Sequence, residues 1–147
     1  MKIAVIDGQG GGIGSVIIKK IKEIYGEKVE VWALGTNAIA TSQMLKAGAN
    51  KGATGSHAIC YCAPKADIII GPISIIIAHA MMGEVTPEIA LAIGSSSAHK
   101  LLLPLTQEPV SIIGAIREPL PHLVDRLVTE YLGSLFAETQ GEGGIRE

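Results

Sequence analysis

The sequence contains few cysteines, few aromatic residues and few charged residues. The two cysteines among its 147 residues, Cys60 and Cys62, are too few for a disulfide framework. Charged residues make up 18%, aromatic residues 3%, and the formal net charge is −2. Because nucleic-acid binders usually carry a basic patch, this charge argues against a nucleic-acid partner.

A hydrophobic run long enough to cross a bilayer is also missing. The most apolar window, residues 68–82, is interrupted by Gly71-Pro72 and is shorter than the roughly 20 residues of a membrane span. The N-terminus starts directly with the apolar run Ile3–Ile6 and lacks the pattern of a secretory signal. We therefore expect no membrane association and, with so few cysteines, a reducing cytoplasmic location.

Aliphatic residues and glycine are abundant, and their spacing alternates between that of strands and that of helices. Strands are predicted at 2–6, 29–34, 50–54, 67–70, 100–103 and 110–114. Helices are predicted at 13–25, 38–47, 56–64, 74–82, 86–93 and 120–135. Only a short proline-containing loop joins the last two strands, so we expect them to be antiparallel.

This alternation predicts an α/β fold: a doubly wound, mostly parallel Rossmann-like sheet of about six strands, ordered 3-2-1-4-5-6. One domain would cover residues 1–139. The remaining residues, 140–147, are rich in Gly and Glu and are predicted to form a disordered tail.

A glycine loop lies between the first strand and the first helix. Its candidate ligand-binding residues are Asp7, Gly8, Gln9, Gly10, Gly11, Gly12, Ile13 and Gly14. The spacing fits G-x-x-x-G-x-G, not the dinucleotide fingerprint G-x-G-x-x-G. Free N–H groups and the positive end of a helix attract a phosphate. Asp7 would repel a pyrophosphate unless it caps loop N–H groups or holds a cation.

Two further segments follow strands whose carboxyl ends should share one edge of the sheet. Gly35, Thr36 and Asn37 follow the second strand, and Gly71, Pro72 and Ser74 follow the fourth. Ligands bind at this edge in open α/β sheets. Asn37 and Ser74 are also ordinary helix-capping residues, so capping and ligand binding both remain open for them.

The run Ile6–Gly14, followed by an Ile-rich helix, resembles the cofactor loop of short-chain dehydrogenases and their NmrA-like relatives. The segment Leu45–Ala49, with the strand and helix that lead to Ala66–Ile70, resembles the next part of those folds. This resemblance covers about residues 1–75 and implies NAD or NADP on the glycine loop. The whole chain also resembles a group of short uncharacterised Rossmann-like proteins with the same loop and an Ala-Leu-Gly-Thr-Asn segment, which implies no activity.

The sequence departs from the dehydrogenases where their chemistry lies. Leu34–Asn37 offers neither an acid for the ribose nor an arginine for a 2′-phosphate. Tyr61 and Lys65 have the family's Tyr-x-x-x-Lys spacing, but they occur too early, and Pro64 would break the helix. No catalytic residue is predicted. A tubulin-like binder of a GTP-type mononucleotide and a non-catalytic ligand-sensing or scaffold protein remain alternatives.

Two other features concern metals and partners. His57, Cys60 and Cys62 lie close together, but a second ligand pair is missing, so no metal site is predicted. The predicted helix 74–82 is apolar on nearly every face. A small domain would bury such a helix against a second copy, so we expect a homodimer or a higher oligomer.

Overall fold

The computed structural model describes residues 1–140, which form one α/β domain. The strands are β1 (Lys2–Asp7), β2 (Glu30–Gly35), β3 (Lys51–Thr54), β4 (Ile68–Pro72) and β5 (His99–Leu103). The helices are α1 (Gly12–Tyr25), α2 (Ala38–Lys46), α3 (Ser56–Cys62), α4 (Pro87–Ser95), α5 (Leu120–Arg126) and α6 (Leu132–Gln140). Apart from Gln140, the predicted tail lies outside the described residues.

The sheet has the order β3-β2-β1-β4-β5, and every neighbouring pair is parallel. The α/β class and the parallel order are therefore confirmed. The prediction of six strands with an antiparallel last pair is wrong. Residues 110–114 pair with no strand in the described part of the chain and instead form turns, with Ala115 N–H bonded to the oxygen of Ile112.

Apolar strands hold the sheet between two cores. β1 and β4 lie next to each other, and Ile3–Ile6 and Ile68–Ile70 are buried, as expected for strands covered on both faces. On one face α1, α2 and the C-terminal helices pack; on the other lie α3, α4 and the segment between β4 and α4. The carboxyl ends of β1 and β4 meet where the strand order reverses, which is where ligands bind in such sheets.

The predicted helix 74–82 is wrong. A single 3₁₀ turn spans Ile73–Ile76, and the turns that follow, residues 77–85, are called here the β4–α4 turn. Its His79, Met81 and Met82 have positive φ angles of 69°, 59° and 55°, which are costly for non-glycine residues. The chain instead folds back on itself, with His79 N–H bonded to the oxygen of Val85 at 2.6 Å, a contact that a continuous helix cannot make. Met82 is 98% exposed, so no apolar helix is left to support the dimer prediction.

The predicted C-terminal helix is interrupted. A π-helical turn, Leu127–Tyr131, separates α5 from α6, and Leu132 N–H donates to the oxygen of Leu127. Val128 within the turn and Leu132 directly after it are buried, whereas Tyr131 is half exposed. No helix among residues 1–140 is long and apolar enough to cross a membrane.

Candidate functional site

Three glycines of the loop are closely packed against their neighbours. A side chain on Gly8 would collide with the side chains of Thr36, Met81 and Glu84. Gly11 has a φ of +73°, and a Cβ there would lie 2.9 Å from the backbone of Ala40. A Cβ on Gly14 would collide with the side chain of Met44 and come within 3.0 Å of the Asp7 Cβ. These three glycines therefore let the loop pack closely on the rest of the site.

Gly10 and Gly12 are different, because a Cβ added at either position would have no neighbour within 4 Å. The N–H groups of both glycines donate to no other described residue, whereas Gly11 N–H is bonded to the oxygen of Gly8 at 2.9 Å. Gly12 is also the first residue of α1, a helix of 14 residues. Two N–H groups without a described partner thus lie at the start of a helix, at positions where an added side chain would meet open space.

Asp7 is the last residue of β1 and only 3% exposed. Its Oδ1 accepts the N–H of Gly8 at 2.8 Å, and its Oδ2 accepts the N–H of Gly14 at 2.7 Å. Burial raises the pKa of Asp7 above its ordinary value; the Gly14 and Gly8 N–H groups oppose this, and the charge of Glu84 adds to it. Of the two roles open from sequence, Asp7 thus has the capping one: it fills the inner side of the loop.

Glu84, at the end of the β4–α4 turn, connects the glycine loop to the end of β2. Its Oε1 accepts three hydrogen bonds: from Gln9 N–H at 2.8 Å, from Thr36 Oγ1 at 2.7 Å and from Asn37 Nδ2 at 3.0 Å. Burial by itself would raise the pKa of Glu84, but the three hydrogen bonds outweigh it and lower the pKa. A charged carboxylate therefore lies where the sequence offered no acid. Sequence reasoning missed this residue.

The predicted segment Gly35, Thr36 and Asn37 does join the site, but its polar groups are already occupied. Asn37 Oδ1 caps α2 by accepting Ala40 N–H at 2.8 Å, which confirms the capping interpretation. Asn37 Nδ2 also donates to the oxygen of Gln9 at 3.0 Å. Gly35 is packed against Thr41, so a side chain would not fit there. These residues position the loop and Glu84.

The other predicted segment lies beside the loop, at the end of β4. A side chain on Gly71 would collide with the backbone oxygen of Ile6 in β1, so this glycine serves strand packing. Ser74 is buried, and its Oγ donates to Thr106 Oγ1 at 2.8 Å. The capping interpretation of Ser74 is wrong, because the 3₁₀ turn has Pro72 at its cap position.

A crevice of about 320 Å³ opens between the glycine loop and the segment after β5. The residues lining it are Asp7, Gln9, Ile13, Pro72, Ser74, Met81, Met82, Leu105, Thr106, Gln107 and Glu108. Glu108 N–H donates to Thr106 Oγ1, and Glu108 Oε2 accepts Met81 N–H at 3.3 Å. The lining contains two carboxylates and neither Lys nor Arg. It suits groups that donate hydrogen bonds, and a phosphate fits better outside it, at Gly10 and Gly12.

Other chemical groups lie apart from this site. In the described part of the chain, no cluster of three or more His, Cys, Asp or Glu residues would hold a metal ion. Cys60 and Cys62 are half-buried free thiols, and Cys60 Sγ lies 3.5 Å from the oxygen of Glu88. No nucleophile paired with a histidine or lysine base lines the crevice.

Comparisons with known proteins add a family but no activity. The chain has no match among curated proteins. A crystal structure of a universal stress protein in complex with cAMP resembles it with a TM-score of 0.39 and 19% identity. That similarity covers 68% of this chain and 94% of the other, and it is too low to indicate a shared ligand. The comparisons do not support the resemblance to short-chain dehydrogenases. A family model for a domain of unknown function, DUF3842, matches residues 2–135, and the chain belongs to that family.

Proposed function

We propose that this protein binds a nucleotide or dinucleotide, with a phosphate on Gly10 and Gly12 and part of the ligand in the adjoining crevice. The observation that carries the proposal is the pair of N–H groups without a described partner at Gly10 and Gly12, beside the open space at the N-terminus of α1. Both lie at the sheet edge where the strand order reverses. A phosphate there would gain two N–H donors and the positive end of the helix.

The buried carboxylate of Asp7 limits the side from which the phosphate would approach the loop. Asp7 already accepts the N–H groups on the inner side of the loop, so the ligand would contact only the outer side. The crevice, at about 320 Å³, is near the lower limit of roughly 300 Å³ for ligand pockets. It therefore suits the base of a nucleotide, with Thr106 and Glu108 as polar partners for its amino groups.

A glycine-rich loop between the first strand and the first helix is the arrangement that dinucleotide-binding sheets use, which favours a dinucleotide. The GTP-type alternative receives less support. The glycine loop of tubulin-like proteins would lie at residues 71–74, but Gly71 is packed against β1 and is not open for phosphate. We assign no reaction, since the crevice lining lacks a nucleophile and base pair. A ligand-sensing role is therefore as compatible with the proposal as an enzymatic one.

The test is calorimetric titration with NAD⁺, NADP⁺, ATP and GTP, with and without Mg²⁺. Gly12→Val fills the phosphate position without a clash, and Gly94→Val, at an equally open glycine in α4, is the matched control. We expect at least one ligand to bind the wild type and the control alike. Affinity for Gly12→Val should fall about tenfold or more, as for the loss of charged hydrogen bonds. Absence of binding to the wild type, or equal binding by Gly12→Val, would overturn the proposal.

We also propose self-association, now on a different surface. Val110, Ile112, Ile113 and Ile116 are exposed on the segment that follows β5. This segment borders a cavity of about 470 Å³ along β5, an edge strand whose outer side pairs with no strand among residues 1–140. Exposed apolar groups beside an open strand edge are typical of a protein–protein contact.

A further inference from the structure

Glu84 has one carboxylate oxygen fully used and one unused. All three donors to this side chain, from Gln9, Thr36 and Asn37, bond to Oε1. Within residues 1–140, Oε2 accepts no hydrogen bond, and Glu84 forms no ion pair. The side chain is only half-buried, so Oε2 retains its capacity to accept hydrogen bonds from a ligand.

The carboxylate is held in one position and in one charge state. The three donors come from two different elements, so Oε1 is fixed between the glycine loop and the end of β2. The same hydrogen bonds lower the pKa of Glu84 against the effect of burial, so the group is charged at neutral pH. A fixed, charged acceptor binds hydroxyl groups more strongly than a neutral one.

Its distance from the proposed phosphate position is short. The N–H of Gln9, which donates to Oε1, belongs to the residue directly before Gly10. A Cβ at Gly8 would lie 2.8 Å from the same oxygen. In a nucleotide the ribose is attached directly to the phosphate. A sugar hydroxyl would therefore reach this carboxylate from a phosphate bound at Gly10 and Gly12.

We propose that Glu84 selects the sugar of the ligand: Oε2 accepts the 2′- and 3′-hydroxyl groups of a ribose, and the site rejects a 2′-phosphate. This inference rests on the nucleotide site proposed above. In parallel α/β sheets an acid at the end of the second strand has this role. Here the acid comes from the β4–α4 turn, 48 residues after Thr36. None of its three partners is a cation that would neutralise a 2′-phosphate, so the two negative charges would repel each other.

The test compares NAD⁺ with NADP⁺, and AMP with 2′-deoxy-AMP, by calorimetry on the full chain. For the wild type we expect NAD⁺ to bind at least about tenfold more tightly than NADP⁺, and AMP more tightly than its deoxy form. Glu84→Gln keeps an oxygen for the three donors but removes the charge. It should weaken NAD⁺ binding about tenfold and bring the two dinucleotides within about threefold of each other. Glu88→Gln, at an exposed acid in α4, should behave as the wild type.

The outcomes separate this inference from the function on which it rests. If the wild type binds both dinucleotides equally and Gly12→Val abolishes both, the phosphate site stands and the role of Glu84 is refuted. If Glu84→Gln binds NAD⁺ more tightly, Glu84 competes with the ligand, which also refutes the role. If no nucleotide binds, the proposed function fails and this inference with it. The wild-type comparison decides the question even if Glu84→Gln does not fold.

Discussion

Asn37 offers a test of the polar cluster around Glu84, because it has two separable roles. Its Oδ1 caps α2, and its Nδ2 donates to the oxygen of Gln9 and to Glu84 Oε1, each at 3.0 Å. Asn37→Ser keeps a capping oxygen but loses both donations. Asn37→Asp also keeps the cap, loses both donations and directs a second carboxylate at Glu84. The two variants therefore differ mainly in charge.

The expected magnitudes follow from these contacts. A neutral hydrogen bond contributes about 1 kcal/mol and one to a charged group about 1.5–3 kcal/mol. Because Asn37 is only half-buried, we expect Asn37→Ser to cost about 2 kcal/mol in the free energy of unfolding. Two like charges about 4 Å apart repel by about 1–4 kcal/mol, depending on the local dielectric. Asn37→Asp should thus cost at least about 3 kcal/mol at neutral pH.

Urea unfolding at pH 7 measures the difference. With an m-value of about 2 kcal/mol/M, the midpoint should fall by about 1 M for Asn37→Ser and about 1.5 M for Asn37→Asp. The gap between the two variants should narrow toward pH 4, where one of the two carboxylates takes up a proton. Adding Glu84→Gln to Asn37→Asp removes one of the two charges. A double-mutant cycle should therefore recover the share of the lost stability that comes from their repulsion. If Asn37→Asp were as stable as the wild type at pH 7, the close contact between Asn37 Nδ2 and Glu84 Oε1 would be refuted.

Three further predictions concern packing, pH and assembly. Gly71→Ala should lower the free energy of unfolding by about 2 kcal/mol or more, because the new Cβ meets a backbone oxygen of β1. Gly94→Ala, at an open position, should not destabilise the protein. Equal thermal midpoints for the two variants would contradict this prediction. The pKa of Glu84 is lowered on folding, so its stabilising effect is complete above the ordinary value of 4.5 and is lost as the pH falls through the lower folded value. The difference in the free energy of unfolding between wild type and Glu84→Gln should therefore decrease in acid. A difference that does not change with pH would contradict the lowered pKa of Glu84. Analytical ultracentrifugation at micromolar concentration should show that Ile113→Lys shifts the oligomer toward monomer. Ile39→Lys, at an exposed residue of α2, should not. A monomeric wild type would refute the self-association proposal.

The elements set by local rules were predictable from the sequence. The strand, glycine loop and helix at residues 2–25 follow from the spacing of apolar residues and from the glycines that separate the elements within that stretch. Thr86 and Pro87 predicted the start of α4, and Thr86 Oγ1 does accept Ile89 N–H at 3.1 Å. Such caps involve residues three apart, so the sequence alone contains the information.

Features that depend on distant partners were not predictable. Residues 110–114 have the composition of a strand, but a strand needs a neighbour, and β5 does not pair with them. The apolar residues after Pro72 predicted a helix by hydrophobicity alone, and the structure has turns there instead. Glu84 lies 75 residues from Gln9, and nothing in its local sequence points to the glycine loop. The glycine loop was therefore predictable from the sequence, whereas the acid beside it required the fold.

The π-helical turn at Leu127–Tyr131 determines which side of the C-terminal helix faces the core. A π turn contains one more residue than an α-helical turn, so it behaves as a single-residue insertion within a helix. Removing Tyr131, which is half exposed, would bring Leu132 and Leu135 one position closer to Val128. Their spacing would then be three and six residues, which in a continuous α-helix places them about 60° and about 120° around the axis from Val128. The extra residue of the π turn is therefore what lets Leu135 join Val128 and Leu132 in one core, because without it Leu135 would turn away from them.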